Sequence, residues 1–358
     1  MTNADVIREC VLYRRESESE TDGDIVRCTA CPHYCKIKPG RVGICGVRYN
    51  RLGKLYLSVW AKPSAIHVDP MEKKPLYHFY PGQRILSLGT IGCNFKCSFC
   101  QNWQLSMERP SPKDIEESCF DLAGRELLTP KDVIAYCQRQ DIRFIAATYN
   151  EPTIWFEYSL DLARLAKDHG IKYVYVSNGF TSTEQLEQLK DIISAINIDL
   201  KGFNDAVYRK VMHGSIEPVK NSIRCLYNSN VIVEVTTLVV PGLNDSPEEL
   251  RAIADFIVSI SPDIPWHVSA FHPDYQMQDR PPTSPQTIEL ALDIGKQAGL
   301  KYLYAGNVRL GRYTDTCCPK CKTILVKRPT SFFGEVAVDS LNGNRCAKCG
   351  ETIYGCFA

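Results

Sequence analysis

Seventeen cysteines in 358 residues fall mostly into three tight groups, and a chain that bunches its thiols this way must fold around what they hold. The first group is Cys28, Cys31, Cys35 and Cys45, with spacing C-x2-C-x3-C-x9-C. The second is Cys93, Cys97 and Cys100, C-x3-C-x2-C. The third pairs Cys318 and Cys321 with Cys346 and Cys349, two C-x2-C knuckles 24 residues apart. Cys10, Cys119, Cys137, Cys225, Cys317 and Cys356 are scattered. Disulfides would need a secreted setting, but Met1 to Glu20 is polar and acidic without an apolar signal core, and the chain is no small scaffold. The groups therefore read as metal ligands kept reduced in a cytoplasm.

The middle group is the most specific. Three thiolates on one short loop can each hold one iron of a [4Fe–4S] cluster and leave the fourth iron open to chemistry, whereas four cysteines make an electron carrier. A zinc site is the plainer choice for thiolates at such spacing, but zinc takes four closed ligands. No further Cys or His follows Cys100 before Cys119.

The C-terminal knuckles, with strand-like stretches at 323–327 and 335–339 between them, predict a zinc ribbon too small to fold without its metal; rubredoxin-like iron uses the same ligands. The N-terminal four suit either a closed zinc tetrahedron, the favoured choice, or a complete [4Fe–4S] cluster. His33 and His67 are also candidate ligands, though a packing or surface role suits each better.

A formal net charge of +1 gives no electrostatic case for nucleic acid or an anionic membrane. No apolar run approaches the roughly 18 residues of a membrane span. From about 84 to 308 the sequence alternates short apolar strands (85–90, 144–148, 173–177, 195–199, 231–240, 266–270, 302–304) with helical stretches (130–139, 159–168, 183–193, 218–227, 247–259, 286–298). Repeated βα units predict a parallel sheet with right-handed crossovers, open or closed. Residues 1 to 27 are hydrophilic and expected to be partly ordered; 54–60 predicts a strand, and from there to Gly82 an irregular connection is expected.

Polar residues recur where the strands should end: Cys93 to Cys100, then Asn150-Glu151-Pro152, Ser177-Asn178-Gly179, Asp199-Leu200-Lys201, Pro241-Gly242 and His267 to His272. Each alone is an ordinary turn or cap. Together they line one edge of one sheet, where catalytic residues of such folds lie.

With Phe99 before its last cysteine, the loop resembles the signature of the radical S-adenosylmethionine (SAM) superfamily, in which SAM chelates the open iron. The strand ends are similar to those of its glycyl-radical-activating branch, relatives of pyruvate formate-lyase activating enzyme. That branch has a Gly-Gly-Glu stretch that binds the SAM amine; here Tyr149-Asn150-Glu151-Pro152 stands in its place, and only Glu151-Pro152 matches. Ser177-Asn178-Gly179 is similar to its Thr-Asn-Gly, and Asp199-Leu200-Lys201 to its Asp-Leu-Lys. Across nearly the whole chain, Cys28-x2-Cys31-Pro32-His33-x-Cys35, Gly43 to Arg48, His67 to Pro75, Gly92 to Asn102 and Tyr149 to Thr153 resemble the radical SAM protein of the AmmeMemoRadiSam system.

The resemblance implies an α/β fold with a partial (β/α)6 barrel over 83–312, a Cys-rich module over 1–82 and a zinc ribbon over 313–358. It implies a catalytic cluster on Cys93, Cys97 and Cys100, with SAM positioned by Phe99, Asn150, Glu151, Ser177, Asn178, Asp199 and Lys201. A flavodoxin- or ferredoxin-like electron donor and AMME-domain and Memo-like partners follow from it. The expected reaction is hydrogen abstraction from a protein, as in glycyl-radical activation, or from a small molecule; radical modification of a metabolite with SAM as oxidant, or a purely metal-holding scaffold, are the alternatives.

Overall fold

The computed structural model describes residues 8–16, 24–120, 127–308, 310–329 and 334–357. Its centre is an eight-stranded sheet. Seven strands are parallel and in chain order: Arg84–Gly89, Phe144–Ala147, Lys172–Ser177, Ala195–Asp199, Ile232–Val239, Trp266–Ala270 and Leu303–Gly306. All seven predicted strands are present, within a residue or two of the expected bounds. They are short and rich in Val, Ile and Ala because both faces are covered, so no polar alternation is needed.

Helices connect most of the strands, and their starts are written in the sequence. Thr129 and Asp132 close a reciprocal capping box on Pro130–Arg139. Ser182, Ser246 and Ser284 each cap a helix with the side-chain oxygen, and Pro247 and Pro285 occupy first helical positions. Helix Pro285–Ala298 stops at Gly299, whose φ of +108° suits a residue without a Cβ.

Two expectations need correction. The stretch before Gly82 is not wholly irregular: Ala65–Pro70 is a strand, antiparallel to Arg84–Gly89, which closes that edge of the sheet. Its His, Asp and Pro content hid it, because an edge strand tolerates polar residues and a terminal proline. The N-terminal region is also better ordered than its polarity predicts. Tyr13–Glu16, Ile25–Cys28 and Lys36–Ile37 make one small antiparallel sheet, and Arg8–Glu9, Lys54–Leu57 and Arg48–Arg51 make another. The parts of that expectation at 1–7 and 17–23 lie outside the described residues.

The two cysteine-rich ends pack on opposite ends of the sheet. The N-terminal module lies over the carboxyl ends: Ser182 donates its hydroxyl to Thr29 O and its amide to Ala30 O, and His33 Nε2 pairs with Asn94 O at 2.8 Å. The C-terminal module lies under the amino ends. Buried His78 joins Tyr304 Oη and Tyr354 O, both at 2.6 Å, while buried Glu234 accepts from the amides of Tyr77 and His78 and pairs with His267 at 2.7 Å. Arg328 adds bonds to Tyr77 O and Thr316. Within this module Ile324–Lys327 pairs antiparallel with Thr316–Cys317 and with Ala337–Val338, and a hairpin joins Leu341–Asn342 to Arg345–Cys346. The strands expected at 323–327 and 335–339 are thus found in shortened form.

Candidate active site

Strand Arg84–Gly89 runs out into the cysteine loop, and the loop is pinned on every side. Asn150 does most of this. Its Nδ2 donates to Thr90 Oγ1 and Gly92 O at 3.0 and 2.9 Å, and its Oδ1 accepts from Thr90 N and Trp155 Nε1. Gly92 has φ +85°, and a Cβ there would sit 2.5 Å from Cys45 O, so the loop can approach the N-terminal module only through glycine. Arg109 donates to Cys93 O, Lys96 N to Met212 O and Gln276 N to Ser98 O.

Cys93 and Cys97 are buried, Cys100 partly so, and Phe99 is packed in the core beneath them. Cys93 Sγ accepts from Phe95 N at 3.4 Å and lies 3.9 Å from Asn178 Nδ2. Burial pushes the Cys93 thiol well up and Cys97 to about 12, the latter opposed by Lys201. Thiols so held give up their protons to a metal, not to water. Among the described residues no further Cys, His or carboxylate joins the three within 4.8 Å, so the loop does not build a closed four-ligand site for a single ion. Three thiols on one short loop that do not close around a single ion, with an amide aimed at one of them, fit a cluster with one open iron.

Glu151 is fully buried and already engaged: its carboxylate accepts from Thr153 N at 3.0 Å, Ser177 Oγ at 2.8 Å and Asn178 N at 2.7 Å. Burial raises its pKa, against the pull of those donors. It clamps the end of strand Phe144–Ala147 to the end of Lys172–Ser177. Asn178 in turn donates to Asn94 Oδ1 at 2.8 Å. Thus Ser177, Asn178, Glu151 and the loop form one hydrogen-bonded block beside Cys93. Lys201 Nζ bonds Asp199 at 2.7 Å; burial disfavours its charge, but Asp199 and the Cys97 thiol hold it above the ordinary lysine range. The structure therefore brings Asn150, Glu151, Ser177, Asn178, Asp199 and Lys201 beside the cysteine loop, whereas His267, expected at that edge, lies near the amino ends, where it bonds Glu234. It gives Asn150 and Glu151 side chains turned to their own chain, a point their places in the sequence do not reveal.

Asn94, Thr153 and Arg109 escaped notice as contributors. Asn94 and Thr153 stood inside quoted motifs, while Arg109 carried no signal because its target is a backbone carbonyl 16 residues away. His33 holds the loop carbonyl of Asn94 and leans edge-on against Phe180 at 5.0 Å, the packing role favoured for it. His67 packs edge-on against Tyr149.

The C-terminal quartet is different. Cys318, Cys321, Cys346 and Cys349 bring their sulfurs within 4.8 Å of one another, with Cys318–Cys349 at 3.5 Å and Cys321–Cys346 at 3.6 Å. These four thiols could hold one metal ion.

The radical SAM superfamily model matches residues 88–257. An uncharacterized protein of Methanocaldococcus jannaschii is 36% identical over 97% of this chain and 99% of its own length. A putative glycyl-radical enzyme activating enzyme of the same organism is 27% identical, covering 52% of this chain and 67% of that one. The pyruvate formate-lyase 1-activating enzyme of Escherichia coli K12 is 23% identical over 63% of this chain and 93% of its own. With its three-cysteine loop at the carboxyl edge of a parallel sheet and the superfamily model matching residues 88–257, the chain carries a radical SAM domain.

Proposed function

We propose that this chain is a radical SAM enzyme of the activating-enzyme kind, which abstracts a hydrogen atom from a protein substrate. Cys93, Cys97 and Cys100 would hold a [4Fe–4S] cluster, which would supply the one electron that cleaves the sulfonium S–C5′ bond of SAM to methionine and a 5′-deoxyadenosyl radical. The observation that carries this reading is the loop itself: three buried or half-buried thiols at the strand ends that do not close around a single ion. Around it, Asn150 fixes the loop's entry and Glu151 holds Ser177 and Asn178 against Cys93. Lys201, tied to Asp199, keeps a positive charge beside Cys97 and suits the carboxylate of a bound amino acid. Phe99 gives the loop its buried anchor. The sheet around the site excludes water and holds the reacting carbon close to its target.

In this reading a flavodoxin- or ferredoxin-like protein delivers the electron, and AMME-domain and Memo-like proteins are the candidate partners. The C-terminal quartet holds zinc: its 3.5 and 3.6 Å sulfur spacings approach the roughly 3.8 Å of a zinc tetrathiolate tetrahedron. The module of 1–82, the catalytic unit of 83–312 and the ribbon of 313–358 divide the work. No helix among the described residues is long and apolar enough to cross a membrane.

The test is anaerobic reconstitution with SAM and a low-potential reductant. Wild-type protein should release 5′-deoxyadenosine, and Cys97→Ala should release none. Equal release by both proteins would end the assignment.

A further inference from the structure

We propose that Cys28, Cys31, Cys35 and Cys45 hold a second iron–sulfur cluster, one thiolate on each of four irons, pressed against the Cys93 loop. The four thiols line one cavity together with Arg48 and Thr153. Cys28, Cys31 and Cys45 are buried and Cys35 is partly exposed.

Their spacing separates the two metals that four thiolates can take. In a zinc tetrahedron every sulfur stands roughly 3.8 Å from the others, as the C-terminal quartet nearly does. The N-terminal sulfurs do not close up to within 4.8 Å as a group, although all four were among the described residues. Yet they are not strangers: all four line the same cavity. Gathered around one cavity and too far apart to share one ion, they fit a cube in which each thiolate has its own iron.

Other features of the cavity suit such a group. Fully buried Arg48 stands beside them as counter-charge, held by Glu157 at 2.7 and 3.2 Å and by Ile154 O at 2.9 Å. The site also abuts the catalytic loop. Cys45 O faces Gly92, and Thr153 of the cavity wall gives its amide to Glu151, which holds Asn178 beside Cys93. With all four irons ligated by protein, such a cluster offers no open position and serves to carry electrons.

The experiment separates the two sites. The variant Cys93→Ala/Cys97→Ala/Cys100→Ala, purified anaerobically, should keep about four irons and about four sulfides per chain. On reduction with dithionite it should give a cluster paramagnetic-resonance signal that SAM does not alter. In the otherwise intact chain, Cys28→Ser/Cys45→Ser should lower iron from about eight to about four per chain, with zinc unchanged. A triple variant free of iron but holding a second zinc overturns the proposal, as does a Cys28→Ser/Cys45→Ser protein that loses zinc and keeps all its iron. If instead the Cys93 loop held no cluster, the triple variant and wild type would carry equal iron. That outcome breaks the SAM-site reading and leaves this one to stand on the loss of iron with Cys28 and Cys45.

Discussion

Two four-cysteine groups sit at opposite ends of one sheet, and their geometries differ in a way that their sequences do not show. At the amino ends, the sulfurs of Cys318, Cys321, Cys346 and Cys349 gather around a single point. At the carboxyl ends, the sulfurs of Cys28, Cys31, Cys35 and Cys45 line one cavity beside the Cys93 loop without closing to within 4.8 Å of one another. Location and spacing agree. In barrel folds the amino face serves stability and the carboxyl face chemistry, which suits the structural ion proposed for the tight group and the redox group proposed for the wide one. Both use C-x2-C turns; what differs is the rest of the chain that draws each set together.

That contrast can be broken from either side. The largest effect is expected at the tight site. Cys346→Ser/Cys349→Ser should lose one zinc and unfold the C-terminal module, since metal binding in such small units is worth on the order of 10 kcal/mol. Metal analysis with limited proteolysis checks it, and iron content should not change. A variant that loses iron instead would show that the two ends had been assigned the wrong way round.

Next comes the buried pair beneath the wide site. Arg48→Met leaves Glu157 buried without its cation, which should cost about 3–5 kcal/mol and loosen the N-terminal iron while sparing the zinc. Denaturant unfolding with metal counts measures both; a loss of zinc would contradict the division. Smaller again is Glu151→Gln, which turns an amide on to the N–H of Thr153 or Asn178 and should cost about 1–3 kcal/mol of stability. If stability holds and only SAM affinity falls, Glu151 touches the ligand directly and is no clamp.

The smallest effect lies away from both quartets. Burial alone would raise the Asp69 carboxyl, but hydrogen bonds from Lys74, Lys73 and Tyr149, with the Lys74 charge, hold it well below the ordinary range. A carboxylate depressed in the folded state adds stability above its unfolded pKa of about 3.9 and loses it as the pH falls through the folded value. Asp69→Asn should therefore be less stable than wild type by about 2 kcal/mol at neutral pH. The gap should narrow as the pH drops below about 4, with both metals unaffected. A gap that stays constant across that range would remove the ion pair from the account.

The central sheet was legible because apolar βα repeats announce themselves: all seven parallel strands and the capped helices at Thr129, Ser182, Ser246 and Ser284 follow from local rules. Strand Ala65–Pro70 was not, since an edge needs no apolar alternation and its partner, Arg84–Gly89, supplies the pairing. The site was legible as a set of residues and not as a set of roles. Asn150 and Glu151 were found because they follow a strand, but their commitments to Gly92, Ser177 and Asn178 are long-range and leave no local trace. The difference between the two quartets is of the same kind. Spacing of cysteines along the chain says that they meet, and only the packing of Arg48, Gly92 and Thr153 around them says how widely.

Anomalous diffraction from crystals of anaerobically purified protein, recorded at the iron and zinc edges, tests the central claim most directly. The account predicts iron scattering at Cys93, Cys97 and Cys100 and again at Cys28, Cys31, Cys35 and Cys45, with a single zinc peak at Cys318, Cys321, Cys346 and Cys349. A zinc peak at both quartets, with iron confined to the Cys93 loop, would contradict it.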